Sequence, residues 1–342
     1  MHILQSLNRS WLTTLTLNIF LVALWWTPYL LNYRSLPEVT ICIFGIDSII
    51  VLSPSIAILL QFIASILMFI WVSRFLFSKY INIVTYLQFS MMMLLYTSWD
   101  LAQVFGNHII STVLLIIALL EIIKIDFSQS NIKEIFNSFT ALVIASIFQI
   151  DFLFFIPLFI LGVFILDGFK RKSILTIIFV LLIGVATIIG YAYVFDIIDD
   201  VEVYYMQILK PEIATYSLSF VLDNIVFFII IIFSAISLFF YFQNQSNFRF
   251  NTKRTMAFLI MIWICLTLYM MLFVVANNGL ALFYIILSSL FLSLCFIDYR
   301  SKHKNIIFVI LIIFLFINYI LSLSIDMGID LRTYTNSLLT VL

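Results

Sequence analysis

Four polar residues lie between two apolar runs, and their spacing can turn three of them toward one pocket. The segment Ser98 to His108 reads SWDLAQVFGNH, in which Asp100, Gln103, Asn107 and His108 follow one another at steps of three, four and one. Steps of three and four bring side chains to one face of a helix. A carboxylate, two amides and an imidazole supply hydrogen bonds and proton transfer there. We expect Asp100 and His108 to bind substrate; the alternative is a satisfied polar or interfacial histidine.

A second set of polar residues is an acidic cluster in the longest connection of the chain. Asp196, Asp199, Asp200 and Glu202 fall within seven residues. Carboxylate oxygens are the ligands that hard divalent cations prefer, so the cluster predicts a metal site. The alternative is a solvated acidic loop, which is the usual environment of a charge run.

The elements that carry these residues follow from the composition of the chain. Its residues are 64% hydrophobic and 10% charged, against roughly 45–50% and 25% in a soluble domain. Repeated apolar runs of about 20 residues indicate membrane-spanning helices. We therefore predict one all-α integral membrane domain over residues 1–342, a bundle of about eleven spans. They are placed at 11–31, 49–72, 81–97, 109–124, 137–150, 152–167, 173–194, 219–242, 255–275, 279–298 and 305–324.

Basic residues orient this bundle. With eleven spans, 14 of the 17 Lys and Arg residues lie on one side, and Arg34, Lys210 and Arg332 lie on the other. Positive charge accumulates in cytoplasmic loops, so the N-terminus is predicted inside and the C-terminus outside. Fusing the fifth and sixth spans into one kinked or re-entrant element around Asp151 is the alternative, and it would destroy this asymmetry. The zero net charge gives no indication of nucleic-acid binding.

The predicted outer side carries most of the carboxylates. Glu38 and Asp47 lie in the first outer loop, which also holds Arg34, and Asp151 separates spans five and six. A carboxylate that faces a cavity in the membrane is costly unless it has a function, whereas one that faces water carries little information. We predict that Asp151 joins the substrate-binding residues.

A resemblance covers residues 98 to 194. The order is the polar segment above, GNHIISTVLLIIALLEI, a short charged loop, NSFTALVIASIFQIDFLFFIPLFILGVFIL, a Lys170–Arg171–Lys172 turn and ILTIIFVLLIGVATIIGYAYV. This stretch resembles an uncharacterised family of bacterial multi-pass membrane proteins, a domain of unknown function. It is more distantly similar to the middle of GT-C glycosyltransferases, which transfer sugars from polyprenyl-phosphate donors.

The resemblance implies a set of roles. In GT-C enzymes an acidic residue of the first outer loop is catalytic, a position that Glu38 or Asp47 occupies here. Arg34 would meet the donor phosphate, and other outer carboxylates would hold an acceptor or a divalent cation. The implied location is the bacterial inner membrane. The first outer loop is short, and neither Glu38 nor Asp47 stands in the family's usual acidic context.

Three function classes follow. The first is a GT-C-like protein, active or inactive, that acts on a polyprenyl-phosphate-linked sugar at the outer leaflet. The second is a non-catalytic membrane subunit that scaffolds a cell-envelope assembly with a membrane-protein partner. Transport is the third, and it is disfavoured because the predicted spans carry almost no ionisable residues. All three classes place the chain in contact with membrane lipid.

Overall fold

The computed structural model describes residues 11–30, 39–44, 46–77, 85–99, 106–125, 131–168, 170–206, 224–243, 250–273, 278–296 and 302–326. Within these ranges the chain forms twelve α-helices and one two-stranded sheet. The helices are α1 (Trp11–Leu30), α2 (Pro54–Trp71), α3 (Thr85–Ser98), α4 (Asn107–Ile123), α5 (Ile132–Phe148), α6 (Phe155–Asp167), α7 (Arg171–Val194), α8 (Ile198–Met206), α9 (Ile225–Gln243), α10 (Phe250–Leu272), α11 (Asn278–Phe296) and α12 (Lys302–Asp326). A π-helical turn, Val72–Phe77, extends α2, and a 3-10 turn, Ile150–Phe154, joins α5 to α6.

The predicted helical membrane architecture is confirmed. Each predicted span overlaps one helix, and α8 is the additional, short one. Among the described residues, seven helical segments are long and apolar enough to cross a membrane, and two shorter apolar helices lie at Thr14–Leu30 and Asn107–Ile123. The count of eleven crossings stays a prediction.

A β-hairpin departs from the all-α prediction. Strands β1 (Val39–Ile43) and β2 (Ile46–Leu52) pair antiparallel, so residues 49–52 are strand where the second span was predicted to begin. The stretch is rich in β-branched residues and contains Gly45 between its halves, which favours two short strands. Its apolar character alone had suggested the start of a helix.

Hydrogen bonds show which helix ends lie together. Asn107, which begins α4, bonds to Cys42 of β1 and to the carbonyl of Phe148, which ends α5. We call this side of the bundle the hairpin end. The opposite side, the basic end, carries every Lys and Arg of the described residues, namely Arg74, Lys124, Lys133, Lys170, Arg171, Lys172, Lys253, Arg254, Lys302 and Lys304.

The α5–α6 pair is a hairpin of two helices and not one kinked element. At the basic end, Asn131 just before α5 donates through Nδ2 to Oδ1 of Asp167, the last residue of α6, at 2.5 Å. The chain therefore leaves and returns to the same side within 36 residues. The 3-10 turn at the hairpin end reverses its direction.

Helices α11 and α7 mark the centre and the periphery of the bundle. In α11, 94% of the apolar span is buried, and it packs against α3, α4, α9 and α10. In α7 only 22% is buried, and its main partner is α5. Helices α7 and α5 approach closely at Gly184, where an added Cβ would lie only 2.7 Å from Cγ1 of Val143. One face of α7 therefore remains exposed to lipid.

Candidate functional site at the hairpin end

The α5–α6 turn holds one of the predicted carboxylates at a helix junction. The hydroxyl of Tyr269 on α10 donates to Oδ1 of Asp151 at 3.1 Å, and Nε2 of Gln149 lies 3.4 Å from Oδ2. The ring of Phe154, in the same turn, packs on the Tyr269 ring with centroids 4.5 Å apart. Asp151 is half-buried. Two neutral donors thus fix the direction of the carboxylate.

His108 belongs to the same neighbourhood. It is buried at the start of α4, with 8% of its surface exposed. A Cβ on Gly279, in the first turn of α11, would lie 2.6 Å from His108 Cβ and 3.0 Å from Gln149 Oε1. The hydroxyl of Thr112 lies 2.7 Å from the His108 carbonyl oxygen and 3.2 Å from that of Gly279. Because Gly279 has no side chain, His108 and Gln149 can both pack against it. Gln149 in turn contacts Asp151.

Asn107 attaches the β-hairpin to this cluster. Its Oδ1 accepts from the Cys42 amide at 3.0 Å, and its Nδ2 donates to the Cys42 carbonyl at 2.8 Å and to the Phe148 carbonyl at 3.3 Å. The amide thereby pairs with β1 as another strand would. The register of the sheet shifts on both sides of Cys42, where this pairing occurs.

Phe44 secures the tip of the β-hairpin. It adopts a left-handed conformation, with φ of 54°, and its amide donates to the Ile147 carbonyl at 3.0 Å. A bulky residue in this region costs on the order of 1–3 kcal/mol unless its surroundings impose it. Here the side chain is buried against the rings of Tyr191, Tyr204 and Tyr205. The aromatic contacts hold β1, α7 and α8 together.

Helix α8 lies across the hairpin end of α7. The hydroxyl of Tyr204 donates to the Ser146 carbonyl at 3.1 Å, which docks α8 on α5. Burial raises the pKa of Tyr204 above its ordinary value, and the nearby charges of Tyr205 and Asp151 act in the same direction. Burial likewise raises the pKa of Tyr205. Both phenols therefore stay neutral hydrogen-bonding groups at physiological pH.

The four residues of the predicted cation site lie on α8 and in the turn before it. Asp196, Asp199, Asp200 and Glu202 are all exposed, and Asp196 has φ of 55°. In the described part of the chain, no three His, Cys, Asp or Glu side chains are grouped so that they can hold a metal ion. The divalent cation stays a prediction that needs a binding measurement.

An apolar cleft of about 400 Å³ opens beside α8. Its walls are α5, the start of α6 and the face of α7 that carries Leu181, Val185, Ile188 and Ala192. Val201, Glu202 and Tyr205 of α8 line its end. Because α7 is the peripheral helix, the cleft along it lies at the outer surface of the bundle.

Some predicted site residues are brought together, and others lie outside the described residues. His108 and Asp151, separated by 43 positions in the sequence, share the cluster around Gln149 and Gly279. Asp47 lies on β2, where only its backbone is described. Glu38, Arg34 and Asp100 fall outside the described ranges.

The sequence analysis missed Gln149, Tyr269 and Gly279. Gln149 and Gly279 each stand at the boundary of an apolar run, where a helix ends and polar groups are needed to satisfy its backbone. Nothing in the sequence indicates that these two residues meet. Tyr269 lies within a predicted span and carries no signal that separates it from the other aromatic residues. It also missed Asp167, which is fully buried at the basic end.

Comparisons with known proteins add no relative. No protein-family profile matches this chain, and no curated protein or solved structure matches it.

Proposed function

We propose that the chain is a GT-C-like protein that acts on a polyprenyl-phosphate-linked sugar at the outer leaflet of a bacterial inner membrane. Its hairpin end faces outside, and its basic end faces the cytoplasm. The distribution of charge supports this orientation, since every described Lys and Arg lies at the basic end. The observation that carries the proposal is the carboxylate of Asp151, which Tyr269 and Gln149 orient at the opposite end.

Asp151 is the general base of this proposal. Its two oxygens accept from Tyr269 and Gln149, and these contacts fix the direction in which the carboxylate meets an acceptor hydroxyl. Such a base removes the proton of the hydroxyl as its oxygen attacks the anomeric carbon of the sugar, while the bond from that carbon to the donor phosphate breaks and polyprenyl phosphate leaves. General base catalysis contributes about 10²–10⁴-fold to a rate. The resemblance had suggested Glu38 or Asp47 for this role, and both remain alternatives in the same proposal. The donor phosphate needs a cation, which Arg34 would supply.

A non-catalytic membrane subunit is the second proposal, and α7 favours it. This helix packs along one side only, and large apolar residues such as Leu175, Phe179 and Leu182 are exposed on the other. A partner helix in the membrane would pack on such a face. In this case the hairpin-end cluster would only stabilise the fold, and changes that keep its shape would leave the assembly intact.

Replacement of single carboxylates separates the two proposals. Asp151→Asn, Glu38→Gln, Asp47→Asn and Asp100→Asn keep side-chain size while removing charge. Each variant would be tested for complementation of surface glycans in a deletion strain, with membrane protein level measured in parallel. Glu134→Gln at the basic end is the matched control. We expect Asp151→Asn to lose glycan by about 100-fold or more at normal protein level. Full complementation by all four variants would exclude the enzyme and leave the subunit.

A further inference from the structure

We propose that the cleft between α5, α7 and α8 binds one hydrocarbon chain of an amine-headed phospholipid, of the phosphatidylethanolamine type, from the leaflet at the hairpin end. This binding site is separate from the Asp151 cluster, and the inference does not depend on the proposed transferase activity.

The chemistry of the walls selects a hydrocarbon. Val143, Leu181 and Ile188 line the cleft, and its volume of about 400 Å³ falls in the range of small-molecule pockets. Water does not fill an apolar cavity favourably, because it finds no hydrogen-bond partners there. Val185 and Ile189 line the cleft and are also 55% and 58% exposed, so the cleft opens sideways toward lipid. A lipid chain can enter from the bilayer without crossing water.

The length of the cleft matches one leaflet. Its α7 wall runs from Leu181 to Ala192, which at about 1.5 Å per residue is roughly 16 Å. Half of a hydrocarbon core of about 30 Å is nearly the same. Leu181 also lies close to the middle of α7, which begins at Arg171 and ends at Val194. The cleft thus extends from the midplane to the hairpin end of the helix, as one chain of one leaflet does.

The charge at the mouth selects the head group. Glu202 lines the end of the cleft, and the exposed Asp196, Asp199 and Asp200 precede it on α8 and its turn. Among the described residues, no Lys or Arg lies at this end. Carboxylates repel a head group with net negative charge and attract an ammonium group. Both head groups carry a phosphate, but only ethanolamine adds an ammonium group. The site therefore favours an ethanolamine head over a glycerol head.

Photolabelling of the purified full-length protein in lipid nanodiscs tests the proposal. The probes are phosphatidylethanolamine and phosphatidylglycerol with a diazirine near the end of one acyl chain. Peptide mapping should place saturable ethanolamine-probe labelling on α7 between Leu181 and Ala192. Labelling by the ethanolamine probe should exceed labelling by the glycerol probe by about fivefold, because an exposed ion pair with the ammonium group contributes up to about 1 kcal/mol. Absence of saturable labelling in this segment, or equal labelling by both probes, would overturn the proposal.

Two variant pairs locate the effect. Ile188→Trp fills the cleft and should abolish the labelling, whereas Leu182→Trp, on the lipid-facing side of the same helix and 63% exposed, should leave it unchanged. Glu202→Gln should remove the preference for the amine, and Asp199→Asn should keep most of it because Asp199 does not line the cleft. The comparison of the two probes uses the wild-type protein, so the proposal can be tested even if a variant fails to fold. Unchanged labelling of a folded Ile188→Trp variant would show that the lipid chain does not bind in this cleft.

Discussion

The two ends of the α5–α6 hairpin each hold a buried or half-buried carboxylate, in contrasting environments. At the basic end, Asp167 is fully buried and accepts from Lys170 at 2.7 Å, from Asn131 and from Ser173. At the hairpin end, Asp151 accepts from the neutral Tyr269 and Gln149. A lysine within hydrogen-bonding distance largely neutralises Asp167. Tyr269 and Gln149 are neutral groups that orient the Asp151 carboxylate.

This contrast separates a structural carboxylate from a functional candidate. A buried ion pair with all its hydrogen bonds made mainly fixes geometry, and losing one partner leaves the others unpaired. A half-buried carboxylate that neutral donors orient at the end of the bundle is the better candidate for contact with a ligand. Asp151 lies just before α6 and Asp167 is its last residue, so the neighbours of each carboxylate determine the difference.

The largest stability effect is expected at the basic end. Asp167→Ala removes the buried carboxylate that accepts from Asn131, Ser173 and Lys170. We expect a loss of about 3 kcal/mol, the lower end for a broken buried ion pair, because Lys170 can still reach water. The unfolding equilibrium in mixed micelles measures it. Asp151→Ala is the matched change at the hairpin end and should cost only about 1 kcal/mol, because its Tyr269 and Gln149 donors are neutral and only partly buried. Equal losses at both ends would break the comparison.

Gly279→Ala tests how tightly the hairpin-end cluster is packed. The added methyl would lie 2.6 Å from His108 Cβ, so α4 or α11 must shift. Overpacking of this kind costs about 1–3 kcal/mol. Function should fall with it, because Gln149 is displaced from Asp151.

Gly190→Ala is the control for this change, since a Cβ there meets no atom within 4 Å. It should be neutral or stabilising by up to about 1 kcal/mol, because alanine favours a helix over glycine. Melting temperature and glycan complementation report both effects. A Gly279→Ala variant with normal stability and function would show that the cluster is loosely packed.

Asn107→Ala tests the attachment of the β-hairpin. The variant loses one acceptor and two donor contacts to Cys42 and Phe148, and we expect about 1–2 kcal/mol of destabilisation because these bonds are only partly buried. Hydrogen exchange of the Cys42 amide should accelerate while the basic end stays protected. Acceleration at both ends alike would mean that the two ends unfold as one unit.

The smallest effect is expected for the donors around each carboxylate. Tyr269→Phe and Ser173→Ala each remove one hydroxyl, and each should cost about 1 kcal/mol of stability. Only Tyr269→Phe should lower surface glycan, because it releases the orientation of Asp151. Micelle unfolding and complementation measure the pair together. A loss of glycan in Ser173→Ala at normal protein level would contradict the structural role of Asp167.

Much of the architecture was predictable, because the apolar runs are long and the charges are placed asymmetrically. The helices over residues 171–194 and 225–243 follow directly from hydropathy, and the separation of α5 from α6 followed from the distribution of Lys and Arg. The β-hairpin was not predicted, because a short β-branched run and the start of a span have the same hydropathy. Asp151 and His108 were named from their polar contrast with the runs around them.

The sequence by itself determined that this chain is a helical membrane protein and predicted that most of its Lys and Arg residues lie on one side. Local composition suffices for that, since burial in lipid demands apolar runs and backbone hydrogen bonds within helices. Only the tertiary structure decided that Gln149, Gly279 and Tyr269 complete the cluster at Asp151, and that Asp167 is neutralised by Lys170. These choices depend on contacts between helices that are far apart in the sequence, where no local pattern specifies which residues meet.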